Sequence, residues 1–277
     1  MLGAGWTQAV ALVAAFAIAV LATPAGVSGA VLLLPFQVSV LGTPSPAVTP
    51  TNLLYNVVAT PGALYRYRRQ GQTGGRLARV LIAGTLPGVV AGSLIRVEFL
   101  PGAGVFDLVV GALLVPLGGW LALSRPPGRS GPGLGRGRDS PGPPDGPQRA
   151  LIAPPVLVGL AAIVGCIGGI YGIGGGSILA PVLIATGRDP AEVAPAALSS
   201  TFVTSVAGVI TFTILSLHQH GSVAPDWATG IALGVGGLAG AYAGARLQSR
   251  LPDTAIRRIL GVLVVAIGAR YLWAGLS

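Results

Sequence analysis

The chain has 277 residues, 52% of them hydrophobic and only 9% charged, with mean hydropathy +0.76. A soluble domain carries about 25% charged residues, so the composition excludes an ordinary soluble fold and points to an integral membrane protein. Net charge is +9, and all seventeen basic residues are arginine. Their grouping in short runs fits loop anchoring by the positive-inside rule. Nucleic-acid binding needs a basic face with aromatic or groove-fitting elements, and none is present. The single Cys166 excludes an intrachain disulfide or a cysteine metal cluster.

Ten apolar segments follow one another. In the first half they cover about 6–23, 29–41, 47–65, 77–96 and 101–123. The first lacks the positive flank of a secretory signal peptide. The second is only ~12 residues, too short to span a core of roughly 30 Å comfortably. It therefore predicts a tilted half-helix or the return limb of a re-entrant hairpin. Residues 124–149, SRPPGRSGPGLGRGRDSPGPPDGPQR, are rich in Pro, Gly and Arg and predict a disordered cytoplasmic linker. The second half repeats the pattern at about 151–170, 176–187, 192–217, 227–245 and 256–274, again with a short second segment. The organisation is thus a first transmembrane repeat (1–123), the linker, and a second transmembrane repeat (150–277).

Internal similarity supports the division. GAVLLLP (29–35) matches GGSILAP (175–181), and GVVAGS (88–93) matches GAYAGA (240–245). If the first two segments of each half form a hairpin, each half crosses an odd number of times and the second half is inverted. Fifteen arginines then share the cytoplasmic side, with Arg96 and Arg270 outside. Treating those two segments as one broken span gives eleven against six. The inverted arrangement is favoured, with both termini extracytoplasmic in a plasma membrane. Inverted repeats let one site open to either side as one half rocks against the other.

The stretch YGIGGGSILAPVLIATG (171–187) carries four glycines in five positions inside an apolar run. Irregular backbone at membrane depth persists only inside protein or against a wet cavity. Half-helix N-termini there present N–H groups to anions. Gly174, Gly175 and Gly176 predict a sharp turn, with Ser177 at or near the N-cap of the next half-helix. The first half holds a weaker copy, PAGVSGAVLLLP, with Gly26, Ser28 and Gly29. Close helix packing is the competing reading for any single glycine. In the third segments, Thr49, Asn52, Asn56 and Thr60 fall on one helix face. Thr201 and Ser205 align with Asn56 and Thr60, and Ser200 and Thr204 form a neighbouring stripe. These side chains either complete a neutral donor cage or bond across helices as structural glue. Gln37 and Tyr171 are further cavity candidates. Asp107 either pairs with Arg96 or faces water.

GIGGGSILAPVLIATG followed by AEVAPAALSSTFVTSVAG resembles the second-half signature of the sulfite exporter (TauE/SafE) family. GVSGAVLLLPFQVSVLGTPSPAVTPTNLLYNVVATPGALYRYRRQG resembles its first-half counterpart. The resemblance implies an all-α multi-pass permease for small sulfur oxyanions or organosulfonates, such as sulfite or sulfoacetate, and it is compatible with homo-oligomers. GVSGA departs from the fuller glycine run, which implies a blunter first break. No cofactor or metal is expected. No carboxylate falls near the predicted midplane to relay protons, so a potential-driven uniporter is expected. An enzyme is not, because Ser199 and Ser200 lack a His or Asp partner at plausible depth. An anion channel and a non-transporting assembly subunit are the alternatives.

Overall fold

The computed structural model describes residues 4–22, 28–44, 46–69, 75–100, 103–123, 154–185, 188, 190–218, 223–247 and 253–276. Within them the chain is all-α, without strands. The helices are α1 (Ala4–Ala22), α2 (Ala30–Phe36), α3 (Val48–Arg69), α4 (Gly75–Glu98), α5 (Ala103–Leu123), α6 (Pro154–Tyr171), α7 (Gly176–Ala185), α8 (Pro190–Ser216), α9 (Trp227–Leu247) and α10 (Asp253–Leu276). The apolar runs locate these elements because an uncharged stretch in lipid must satisfy its backbone internally. The linker expected at 124–149 lies outside the described residues. Three helices are long and apolar enough to cross a membrane by length and composition alone: Gly5–Ala22, Gly75–Glu98 and Glu192–Ser216. Val13, Ile163, Ile210 and Val262 point outward from the bundle, as lipid-facing side chains do.

The second helix of each half is short. α2 continues as a single π-helical stretch, Gln37–Leu41, and ends at Gly42 in the left-handed region. α7 has ten residues, about 15 Å of helix, half of a bilayer core.

Helix neighbours exchange between the halves. α1 packs on α9 and α6 on α4, the first helix of each half against the fourth of the other. α3 also packs on α9 and α8 on α4, while α3 meets α8 and α5 meets α10. Two bundles result: α1, α3 and α9 in one, α4, α6 and α8 in the other. They meet where α3 crosses α8.

Close glycine approaches give the helix directions. Gly84 faces Val158 and Ala161, Gly88 faces Ala162, and Gly92 faces Cys166, so α4 and α6 run parallel. Gly236, Gly240 and Gly244 face Leu12, Phe16 and Val20, so α1 and α9 run parallel as well. Gly111 faces Gly268 and Leu272, whereas Gly118 faces Gly261 and Val265. The fifth helices of the two halves, α5 and α10, are therefore antiparallel.

Candidate functional site

α6 closes its last turn with Gly172 N–H donating to Gly168 O at 2.8 Å. The chain then turns through Gly172 (φ +82°) and Gly174 (φ +73°), a backbone region nearly closed to residues with a Cβ. The turn is a reversal rather than a kink. A Cβ placed on Gly175 would lie 3.2 Å from Gly165 Cα, ten positions earlier, whereas a continuous helix separates such residues by roughly 15 Å. Leu179 and Leu183 of α7 then join Leu157, Ala161 and Val164 of α6 in one apolar cluster. α6 and α7 thus form a hairpin, the return-limb form of the two expected from the sequence.

The reversal is buried from Tyr171 to Gly176. Gly172 lies against Thr49 and Asn52 of α3, Gly174 against Thr201 and Ser205 of α8, Gly175 against Thr85 of α4, and Gly176 against Ala197 and Thr201. The N–H groups of Gly174, Gly175 and Gly176 find no acceptor among the described residues. They are the unpaired donors of a helix start. Ser177 was expected at or near the N-cap; it is the second residue of α7. Its Oγ donates back to Ile173 O at 3.2 Å and lies 3.4 Å from Thr201 Oγ1.

The first break is built differently. Gly26 lies outside the described residues. Ser28, one residue ahead of the Gly29 N-cap of α2, accepts the Ala30 N–H on Oγ at 3.3 Å and donates to Asn56 Oδ1 at 3.3 Å. Gly29 has ordinary right-handed dihedrals and lies against the Tyr55 hydroxyl. The left-handed turns that define the second break have no counterpart among the described residues here.

The two breaks come together. Asn56 Nδ2 reaches Gly172 O at 3.5 Å, the long limit for such a contact. Tyr171 Oη donates to Val31 O at 2.9 Å, and Thr49 Oγ1 donates to Ile170 O at 3.1 Å. Asn52 Nδ2 donates to Ala30 O at 2.9 Å, while its Oδ1 accepts from Gln37 Nε2 at 3.1 Å. The site therefore gathers Ser28, Gly29, Asn52, Asn56, Gly174, Gly175, Gly176, Ser177 and Thr201 around one junction. Asn52 holds α2 to α3 with its whole amide. Ser200 meets the turn through Thr85 of α4, which packs on Gly175: its Oγ lies 2.7 Å from Thr85 Oγ1, one of the cross-helix bonds the sequence left open.

Arg96, assigned from the sequence to the extracytoplasmic side, is fully buried near the end of α4 and donates through Nε to Thr49 Oγ1 at 3.3 Å. Thr49 in turn bonds the last turn of α6, so a buried guanidinium sits one hydroxyl away from the break. The sequence places Arg96 at the end of the fourth segment, and nothing local in it signals burial.

The profile of the family described as "Sulfite exporter TauE/SafE" matches residues 11–271. The chain belongs to this family. It is similar to the "Probable membrane transporter protein YunE" of Bacillus subtilis (strain 168), 28% identical over 122 residues, which are 44% of this chain and 42% of that protein. It is also similar to a "Probable membrane transporter protein" of Xylella fastidiosa (strain 9a5c), 31% identical over 116 residues, 41% of this chain and 42% of that one. The matched stretch thus spans less than half the length of each relative. No solved structure matches significantly. With its apolar helices, this TauE/SafE member is an all-α membrane protein.

Proposed function

We propose that this TauE/SafE protein is a permease that exports small sulfur-containing anions, sulfite or organosulfonates, by alternating access around the paired breaks. One observation carries the reading. Asn56 bonds Ser28 at the first break and Gly172 at the second, beside three unpaired backbone N–H groups that suit an anion. The family's description supplies the sulfur chemistry.

Antiparallel α5 and α10 support the inverted-repeat arrangement, because repeats related without inversion keep corresponding helices parallel. The packing also redefines the moving bodies. Each bundle combines the first and third helices of one half with the fourth helix of the other. The rocking units in this reading are the two mixed bundles, which meet along α3 and α8, rather than the two halves of the sequence. Arginine-rich connections on the cytoplasmic side set the orientation. An anion leaving an inside-negative cell gains about 2.3 kcal/mol per charge per 100 mV, which favours export by uniport.

The test is counterflow of labelled sulfite and methanesulfonate by the purified full chain in proteoliposomes. Saturable exchange, inhibited by unlabelled substrate, is expected. Absence of exchange with every sulfur anion tried, in vesicles holding folded protein, defeats the proposal.

A further inference from the structure

Among the described residues, the buried polar atoms with no hydrogen-bond partner include Ser205 Oγ, at the glycine turn, and Gln37 Oε1, one side chain away behind Asn52. Both residues are fully buried. Ser205 Oγ faces the glycine turn, 3.1 Å from where a Cβ on Gly174 would lie. Gln37 approaches through Asn52, whose Cβ would lie 3.3 Å from one on Gly172.

The polarity of Gln37 is fixed by a chain of bonds. Ala30 O can only accept, so Asn52 must turn its Nδ2 toward it. Asn52 Oδ1 then faces Gln37 and can only accept, so Gln37 must present Nε2. The atom left over is therefore an acceptor, Oε1. Flipping either amide would oppose two oxygens. A buried orphan acceptor is costly and calls for a donor. A ligand made only of acceptor oxygens would leave it unpaired and repel it. Ser205 and the free N–H groups of Gly174, Gly175 and Gly176 offer the reverse, donors for an oxyanion.

We propose that the site selects sulfur oxyanions that also carry a hydrogen-bond donor, with Gln37 Oε1 receiving the donor and Ser205 Oγ and the glycine N–H groups holding the oxyanion end. Hydroxyalkanesulfonates, aminoalkanesulfonates and protonated hydrogensulfite share this chemistry. The inference rests on the carrier reading above and narrows its substrate class.

The test uses the purified full chain in nanodiscs at one pH and two permanently ionised probes of similar size. 2-Hydroxyethanesulfonate carries a hydroxyl donor; propane-1-sulfonate does not. Binding is read from the ligand-induced rise in melting temperature. The wild type is expected to bind the hydroxylated probe about tenfold or more tightly, as a site built to bond a substrate hydroxyl does. Gln37→Met keeps the volume, removes the acceptor and is expected to bring the two affinities together. Ser205→Ala is expected to weaken both probes alike, while leaving the ligand-free melting temperature unchanged or higher, because it removes an unpaired buried hydroxyl. Equal binding of the two probes by the wild type overturns the inference, and does so even if Gln37→Met fails to fold. A preference that persists in Gln37→Met overturns it as well. Binding of sulfite and methanesulfonate without that preference leaves the carrier standing and this inference refuted. Binding of none of the four removes both.

Discussion

Asn56 Nδ2 on α3 meets the carbonyl of Gly172, 116 positions later, at 3.5 Å, and thereby joins the two halves at their breaks. Its neighbour one turn earlier, Asn52, makes two shorter bonds, at 2.9 and 3.1 Å, and both stay within the first half. The two asparagines look alike in the sequence and differ in what they do.

Asn52→Ala removes two buried bonds and leaves the Gln37 amide nitrogen without its partner, a loss that costs about 1–3 kcal/mol. It is expected to lower the melting temperature strongly. Asn56→Ala breaks only long contacts, so a loss of less than about 1 kcal/mol is expected, with flux falling at least tenfold by the proposed role. Thr85→Val, which breaks the 2.7 Å contact to Ser200, is expected to cost about 0.6 kcal/mol, the average for such bonds between membrane helices. Valine keeps the methyl group that packs on Gly175, so the substrate KM should stay unchanged. Thermal unfolding beside counterflow kinetics separates the three. An Asn56→Ala protein with full flux contradicts the site.

Glycines of the second break differ in what a methyl group would meet. At Gly176 it would run into the Ala197 carbonyl, and at Gly174 it would lie 2.8 Å from Thr201 Cγ2 with φ at +73°. Gly159 in α6 has open space around it. Gly176→Ala and Gly174→Ala are expected to destabilise by more than about 2 and 1 kcal/mol respectively. Gly159→Ala should be neutral, or stabilising by up to ~1 kcal/mol through helix propensity. Melting temperatures of the three variants check the order.

Much of this was readable in advance because lipid simplifies the code. Apolar runs separated by Gly, Pro and Arg placed eight of the ten helices to within about three residues, as in 176–187 against Gly176–Ala185. The third runs on to Arg69, four residues past 65, and the second gives way to a π-helical stretch after Phe36. Repetition of the short second segment pointed to paired breaks, and the glycine cluster located the sharper one. What stayed hidden was non-local. Nothing in the spacing of α4 shows that Gly84, Gly88 and Gly92 pack on α6 of the other half. The same holds for the Tyr171 hydroxyl, which reaches back to Val31, and for Arg96, whose burial depends on where Thr49 arrives. Hydroxyl stripes were equally mute: Ser200 and Thr201 are adjacent, yet one bonds α4 and the other faces Ser177.

Uniport predicts a dependence on membrane potential alone. Efflux of a permanently ionised sulfonate from proteoliposomes should rise when a potassium diffusion potential makes the lumen negative. The driving force is about 2.3 kcal/mol per 100 mV for one charge. Lumenal pH, followed with a trapped dye, should not change in step with flux. Proton movement in fixed ratio to a fixed-charge substrate would show a coupled carrier instead.

The exchange of helices between halves makes the most discriminating forecast. If the two mixed bundles move as bodies, a link inside one bundle is harmless and a link between them is not. Leu54 and Gly230 bring α3 and α9 together inside a bundle; a Cβ on Gly230 would lie 3.2 Å from Leu54 Cβ. Leu53 and Gly208 bring α3 and α8 together across the boundary, with Leu53 Cγ 3.6 Å from the corresponding Cβ position. The first spacing is slightly under the Cβ separation of a disulfide, and at the second the Leu53 Cγ position, where a cysteine sulfur would stand, lies within bonding reach after small adjustment. In a Cys166→Ser background, oxidised Leu54→Cys/Gly230→Cys is expected to retain flux. Oxidised Leu53→Cys/Gly208→Cys is expected to lose it and regain it on reduction. Were the sequence halves the moving bodies, the α3–α9 link would join them too, and oxidation would stop both proteins.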